Sequence, residues 1–204
     1  MTGGVVRQLR IERLTPEAFA PFGEIIGPAP RPPVTNRDLL ARNAVRMAHA
    51  VPPERLAAFD VLDYWAPVGA ISQEPMKFGF LVPRERAWRV DWLERHLKGT
   101  QSFLPLGGQG MIVLAPPNDP FDSAAPPRAE DARAFLLDGT RGINLRLGTW
   151  HWTPFPMTAG AAFAILVRQD AAADDLNMID LHAHWGGGLA VERDRLPGQT
   201  ETQA

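Results

Sequence analysis

Twenty prolines and eighteen glycines are scattered along 204 residues, and they leave little room for a long uninterrupted helix. Proline removes a backbone donor and crowds the preceding turn, while glycine marks positions where the chain reverses. Together they make up about 19% of the chain, above the roughly 12% of an average domain and below the level of low-complexity disorder. A chain so divided favours many short strands joined by turns. Eight segments have strand length and strand composition: 61–65, 77–82, 88–92, 101–104, 111–114, 134–137, 143–147 and 162–167. The expected fold is mainly β, a sandwich or barrel with a few short helices.

Other features narrow the class. No cysteine is present, which excludes disulfide scaffolds, thiolate metal sites and thiol nucleophiles. A net charge of -2 argues against a nucleic-acid partner, which would call for a basic face. No apolar run approaches the roughly 20 residues that span a bilayer, and the N-terminus lacks a signal-peptide core. A cytoplasmic protein with no membrane or nucleic-acid partner is expected. The length suits one domain over residues 1–196, with a tail at 197–204 that has nothing apolar to bury.

Thr15-Pro16-Glu17-Ala18-Phe19 carries the signals of a helix start: a capping hydroxyl, a proline at the first helical position and an acid in the first turn. Residues 28–38 are too rich in proline for regular structure and read as a loop. Residues 39–59 mix helix formers with Pro52-Pro53 and stay ambiguous, and 115–133 reads as a surface loop with at most one helical turn. The N-terminal segment is expected to pack outside the barrel.

Chemistry concentrates around two of the five histidines. Residues two apart on a strand share a face, so Glu94 and His96 project together. Gln101 follows a Lys98-Gly99 turn signal, which can return it on a paired strand, and Gly108 comes seven positions later. This spacing resembles the first cupin motif, with Glu94 in place of its first His and Gln101 in place of its Glu. Gly148-Thr149-Trp150-His151 is similar to the G-x-x-H of the second cupin motif. The alternative is that His96 and His151 merely hydrogen-bond within a barrel interior. Strict alternation turns Trp150 and Trp152 away from the face of His151, unless the strand bends at Gly148 or Pro154. His182-x-His184 reads as a surface turn, and Asp170, Asp174 and Asp175 as a solvated acidic loop.

A closer resemblance runs along most of the chain. Leu93-Glu94-Arg95-His96, then Gly99-Thr100-Gln101-Ser102-Phe103-Leu104-Pro105, resembles the signature block of the ureidoglycolate lyase family. Thr15 to Phe19, Phe22 to Ile26, Arg133 to Leu136 and Gly142 to His151 are similar to that family in the same order. The resemblance implies a cupin-like double-stranded β-helix, a homodimer, and release of urea from ureidoglycolate to give glyoxylate. Three departures stand out. Gly79-Phe80 occupies the place of a family Arg, Trp152 replaces the second His of a Trp-His-His-Pro run, and Val167-Arg168 replaces Asp-Arg.

Cleaving a hydroxy acid of this kind calls for a base, an acid and a cationic partner for the carboxylate. Glu94 and His151 are the expected base and acid. Arg146 and Arg168 are the expected carboxylate partners, with Trp150 and Trp152 as further substrate contacts. Arg95 is the weakest choice, because it points away from Glu94 and His96. His96, Glu94, Gln101 and His151 are the expected ligands if a divalent metal is bound; imidazole suits Ni, Zn or Fe, and carboxylate suits Mn. Two rival readings stay open: a metal-dependent cupin enzyme of another class, and a non-catalytic cupin that binds a small ligand.

Overall fold

A computed structural model describes residues 4–28, 34–35, 63–64, 68–72, 74–118 and 126–193. The expected tail at 197–204, the ambiguous stretch 39–59 with His49, and most of the 61–65 segment lie outside the described residues.

Strands dominate, and they build three stacked sheets. The middle sheet has seven strands, in the order Asn177–Asp180, Trp92–Arg95, Trp150–His151, Gly110–Ala115, Arg133–Leu137 and Ile11–Glu12, with Phe155–Pro156 also paired to Gly110–Ala115. A five-stranded sheet faces it on one side: Gly23–Ile26, Gly142–Leu145, Gln101–Gly107, Ala162–Arg168 and Met76–Leu81. On the other side lies a three-stranded sheet of Gly4–Leu9, Gly187–Val191 and Arg89–Val90. The chain is mainly β with a few short helices, and its two larger sheets pair as a cupin-like barrel.

Alternation along one strand explains the layering. Gly110–Ala115 is buried throughout, because it has apolar partners on both faces. Met111, Val113 and Ala115 enter a core shared with Leu93, Trp150, Leu189 and Val191. Ile112 and Leu114 enter a second core with Phe103, Phe135, Ile143 and Phe163. Each fully buried side chain of this size contributes about 1.5–3 kcal/mol. A strand hydrophobic on both faces has to be an inner strand.

The helix expected at residue 15 forms over Pro16–Phe19, with the Thr15 hydroxyl accepting from the Ala18 N–H at 3.2 Å. It does not leave the N-terminal segment outside the barrel. Leu14, Phe19 and Phe22 join the second core, where Phe135 meets both Phe rings edge-on at 5.4 and 5.3 Å. Residues 88–92, expected as one strand, split at Asp91 into Arg89–Val90 and Trp92–Arg95, which join different sheets. Within the expected loop at 28–38, the β-branched pair Val34–Thr35 forms a short ladder with Asp63–Tyr64. His182 and His184 sit in a helical turn, Leu181–Trp185, closed by Gly186 at φ +77°. Among the described residues no helix is long and apolar enough to cross a membrane.

Candidate active site and metal centre

Two facing rows of side chains build the site. In the middle sheet, Met178 pairs with Glu94, Glu94 with His151, and His151 with Leu114. These residues alternate with Leu93, Trp150 and Val113, which fill the first core, so the row faces the five-stranded sheet. Opposite, Gln101 pairs with Leu145, and both share the inner face with Phe103 and Ile143. The two sheets meet where the His151 ring lies 6.0 Å from the Phe103 ring, at 73°. Gln101 therefore stands on the facing sheet, and not on a hairpin partner of Trp92–Arg95 as the Gly99 turn suggested.

His96 completes the group just past the end of its strand. Its ring centre lies 5.5 Å from that of His151. Glu94, His96 and His151 each present a ligand atom, and these atoms lie within 4.8 Å of one another.

Backbone contacts fix the imidazoles. His96 Nδ1 lies 2.9 Å from the Asp175 carbonyl, and His151 Nδ1 lies 3.1 Å from the Thr149 carbonyl. A carbonyl oxygen only accepts, so both Nδ1 atoms donate, and each neutral ring keeps its lone pair on Nε2. The turn before His151 is held as well. Gly148, at φ +78°, donates its N–H to the His96 carbonyl at 2.7 Å, a conformation suited to glycine. The Thr149 hydroxyl donates to the Phe22 carbonyl at 2.8 Å.

The consequence is a meeting of acceptors. Glu94 Oε1 stands 3.4 Å from His151 Nε2, which is buried and makes no hydrogen bond. Gln101 Oε1 is likewise buried without a partner. Burial acts to raise the Glu94 pKa, but the two imidazoles, when protonated, prevail, His151 by a hydrogen bond and both by charge, and hold the carboxyl below its ordinary range. Burial and the neighbouring His151 push His96 below its ordinary value, against the opposing pull of the Asp175 carbonyl and of Glu94. A carboxylate facing two imidazole lone pairs needs a positive centre between them, either a proton or a cation. One carboxylate oxygen and two imidazole nitrogens form a donor set that fits a divalent transition metal.

The other expected residues stand elsewhere. Trp150 is buried in the first core and donates its indole N–H to Asn118 at 2.9 Å, with the Arg95 guanidinium 4.4 Å above its ring. Trp152 packs against the same core. Arg146 is exposed and donates to the Ala20 carbonyl at 2.5 Å. Arg168 is only 1% exposed and is ion-paired to Glu74 and Asp174. Phe80, at the place of the family Arg, is 68% exposed on the outer face of its sheet, so that departure does not touch the site. Two surface clefts of about 310 and 480 Å³ are lined by neither His96 nor His151.

Sequence reasoning missed Asp175. It is not a solvated loop residue, being 2% exposed. Its carboxylate accepts the Leu97 and Lys98 N–H groups at 2.7 and 2.9 Å while its carbonyl holds His96. No local signal marks it, because its partners lie more than 75 residues away.

The family described as ureidoglycolate lyase matches residues 6–186. The ureidoglycolate lyase of Agrobacterium fabrum is 29% identical over 163 residues, covering 79% of this chain and 84% of the relative. That of Azotobacter vinelandii is 30% identical over 169 residues, covering 81% and 88%. That of Pseudomonas aeruginosa PAO1 is 33% identical over 149 residues, covering 72% and 75%. With a match over most of its length, and with the signature block supplying Glu94, His96 and Gln101, the chain belongs to the ureidoglycolate lyase family.

Proposed function

We propose that the protein cleaves ureidoglycolate to glyoxylate and urea at the Glu94–His96–His151 group. The observation that carries this reading is the cluster of three acceptors within 4.8 Å, with Gln101 opposite, in a member of this family. The substrate is a hemiaminal. Its hydroxyl gives up a proton as the carbonyl forms, and the C–N bond breaks with its electron pair going to the urea nitrogen, which takes up a proton.

Glu94 receives the hydroxyl proton, since its depressed pKa keeps it ionised at neutral pH. His151 Nε2, 3.4 Å away, takes that proton from the carboxylate and passes it toward the departing nitrogen. His96, fixed through Nδ1, turns its free nitrogen to the same point. His96, His151, Glu94 and Gln101 would hold Ni, Zn, Mn or Fe, which would supply Lewis-acid polarisation of the substrate oxygens.

The protein acts in the cytoplasm as a homodimer. Phe78, Phe80 and Val82 are 74%, 68% and 60% exposed on the outer face of the five-stranded sheet, an apolar surface suited to a second copy. A single-species monomer mass in solution would remove that assembly.

The test of the activity is stoichiometric. Purified protein supplied with ureidoglycolate should release glyoxylate and urea in equal amounts, and Glu94→Gln should slow the release of both by about 10²–10⁴. Release of neither product by the wild type, with or without added metal, would discard the reading.

A further inference from the structure

The cations expected to receive the substrate carboxylate are committed elsewhere: Arg168 to Glu74 and Asp174, Arg146 to Ala20, and Arg95 to the far side of the middle sheet. Another cation lies on the site's own face. In Met76–Leu81, Gly79 and Leu81 point inward: a Cβ on Gly79 would sit 2.9 Å from the Ile165 side chain, and Leu81 packs on the second core. This strand keeps its register with Ala162–Arg168 along the whole pairing, so Lys77 points inward too.

The pairing sets the row. Lys77 stands opposite Val167. Ser102 stands opposite Leu166, so the next position of that register puts Gln101 beside Val167. Gln101, Val167 and Lys77 thus form one inward row, facing Glu94 and His151 across the barrel. Two strand spacings separate Lys77 from Gln101, about 10 Å between Cα atoms, and a four-carbon stem spans much of that. Lys77 is exposed and makes no hydrogen bond or ion pair with any described residue. Edge strands also carry lysines merely to deter pairing, but such lysines need not share a row with the site.

We infer that Lys77 is the substrate-binding cation of this site, receiving the carboxylate of the small hydroxy acid while Glu94 and His151 work on its hydroxyl and nitrogen. The inference rests on the reading of the site given above. It also makes the choice of substrate intelligible: an anionic end is held by the five-stranded sheet and a reacting end by the middle sheet.

The experiment compares wild type, Lys77→Met and Lys77→Arg in two assays. One is turnover of ureidoglycolate; the other is binding of glyoxylate alone, followed by calorimetry. Because Lys77 is exposed, all three should melt together. Lys77→Met should raise KM and the glyoxylate Kd by about ten- to a hundredfold, the loss of one charge-assisted hydrogen bond, with kcat changed far less. Lys77→Arg should recover most of the affinity. If the wild type binds glyoxylate through Lys77 but cleaves no ureidoglycolate, the proposed reaction fails and the clamp stands. An unchanged Kd in Lys77→Met, a loss confined to kcat, or no binding of glyoxylate by the wild type would each overturn the clamp.

Discussion

Glu94 and Arg95 are neighbours in the chain and end on opposite faces of one sheet, with opposite fates. Arg95 is wholly buried, stacks on Trp150 and donates to Asn118 at 2.8 Å. On that face polar atoms lock a core. On the other face, Glu94, His151 and Gln101 offer lone pairs that no protein donor meets. A buried acceptor without a partner costs about 1–3 kcal/mol, and a fold keeps such a group where a ligand or a proton will use it. Burial alone therefore does not distinguish the two faces; the groups do, a guanidinium stacked on an indole and bonded to Asn118 on one, and acceptors gathered at one point on the other.

The sharpest way to break the contrast is to change one residue on each face. Glu94→Gln should lower kcat by about 10²–10⁴ and leave the melting temperature near wild type. Trp150→Ala should do the reverse in kind, lowering stability by about 3–5 kcal/mol, which chemical denaturation would measure. If Glu94→Gln melts early and Trp150→Ala does not, the assignment of faces is wrong.

Metal comes next. In chelator-treated protein, Ni, Zn, Mn or Fe at a hundred times its Kd should add about 2.7 kcal/mol of stability, read as a rise in melting temperature. His96→Ala and His151→Ala should each abolish that rise. An equal rise in both variants would place the cation elsewhere.

Acid should act on the site face in two stages. The folded protein holds His96 below its usual 6.5, so the unfolded chain binds that proton first and stability falls as the pH drops below about 6.5. Glu94 is held below its usual 4.5, so its contribution is present above that value and is lost as the pH falls through its folded pKa. Melting curves of metal-free protein against pH should lose the first stage in His96→Asn.

The smallest effect is expected at Arg146→Ala, which removes an exposed side chain bonded to one carbonyl. A change within about 0.5 kcal/mol and unaltered turnover are expected. Any rise in KM would return Arg146 to the list of carboxylate partners.

The strands at 77–82, 101–104, 111–114, 134–137, 143–147 and 162–167 were legible, because β-branched and apolar runs bounded by turn residues carry their own signal. Gly187–Val191 was not, since the three glycines from Gly186 carry no strand signal of their own and only the pairing with Gly4–Leu9 orders them. Alternation likewise placed Glu94 with His96 and turned Trp150 away from His151.

What the sequence determined by itself is what lies within a few residues: the Thr15 cap, the alternation across Trp150–His151, and the signature block that carries Glu94, His96 and Gln101. Tertiary structure alone decided that Gln101 faces Glu94 from another sheet, that Arg168 is occupied by Glu74 and Asp174, and that Asp175 fixes His96 from 79 residues away. The physical reason is range. Capping and side-chain alternation are set by backbone geometry over one to four residues, whereas the partner of a buried polar group is whichever strand the sheet order brings beside it.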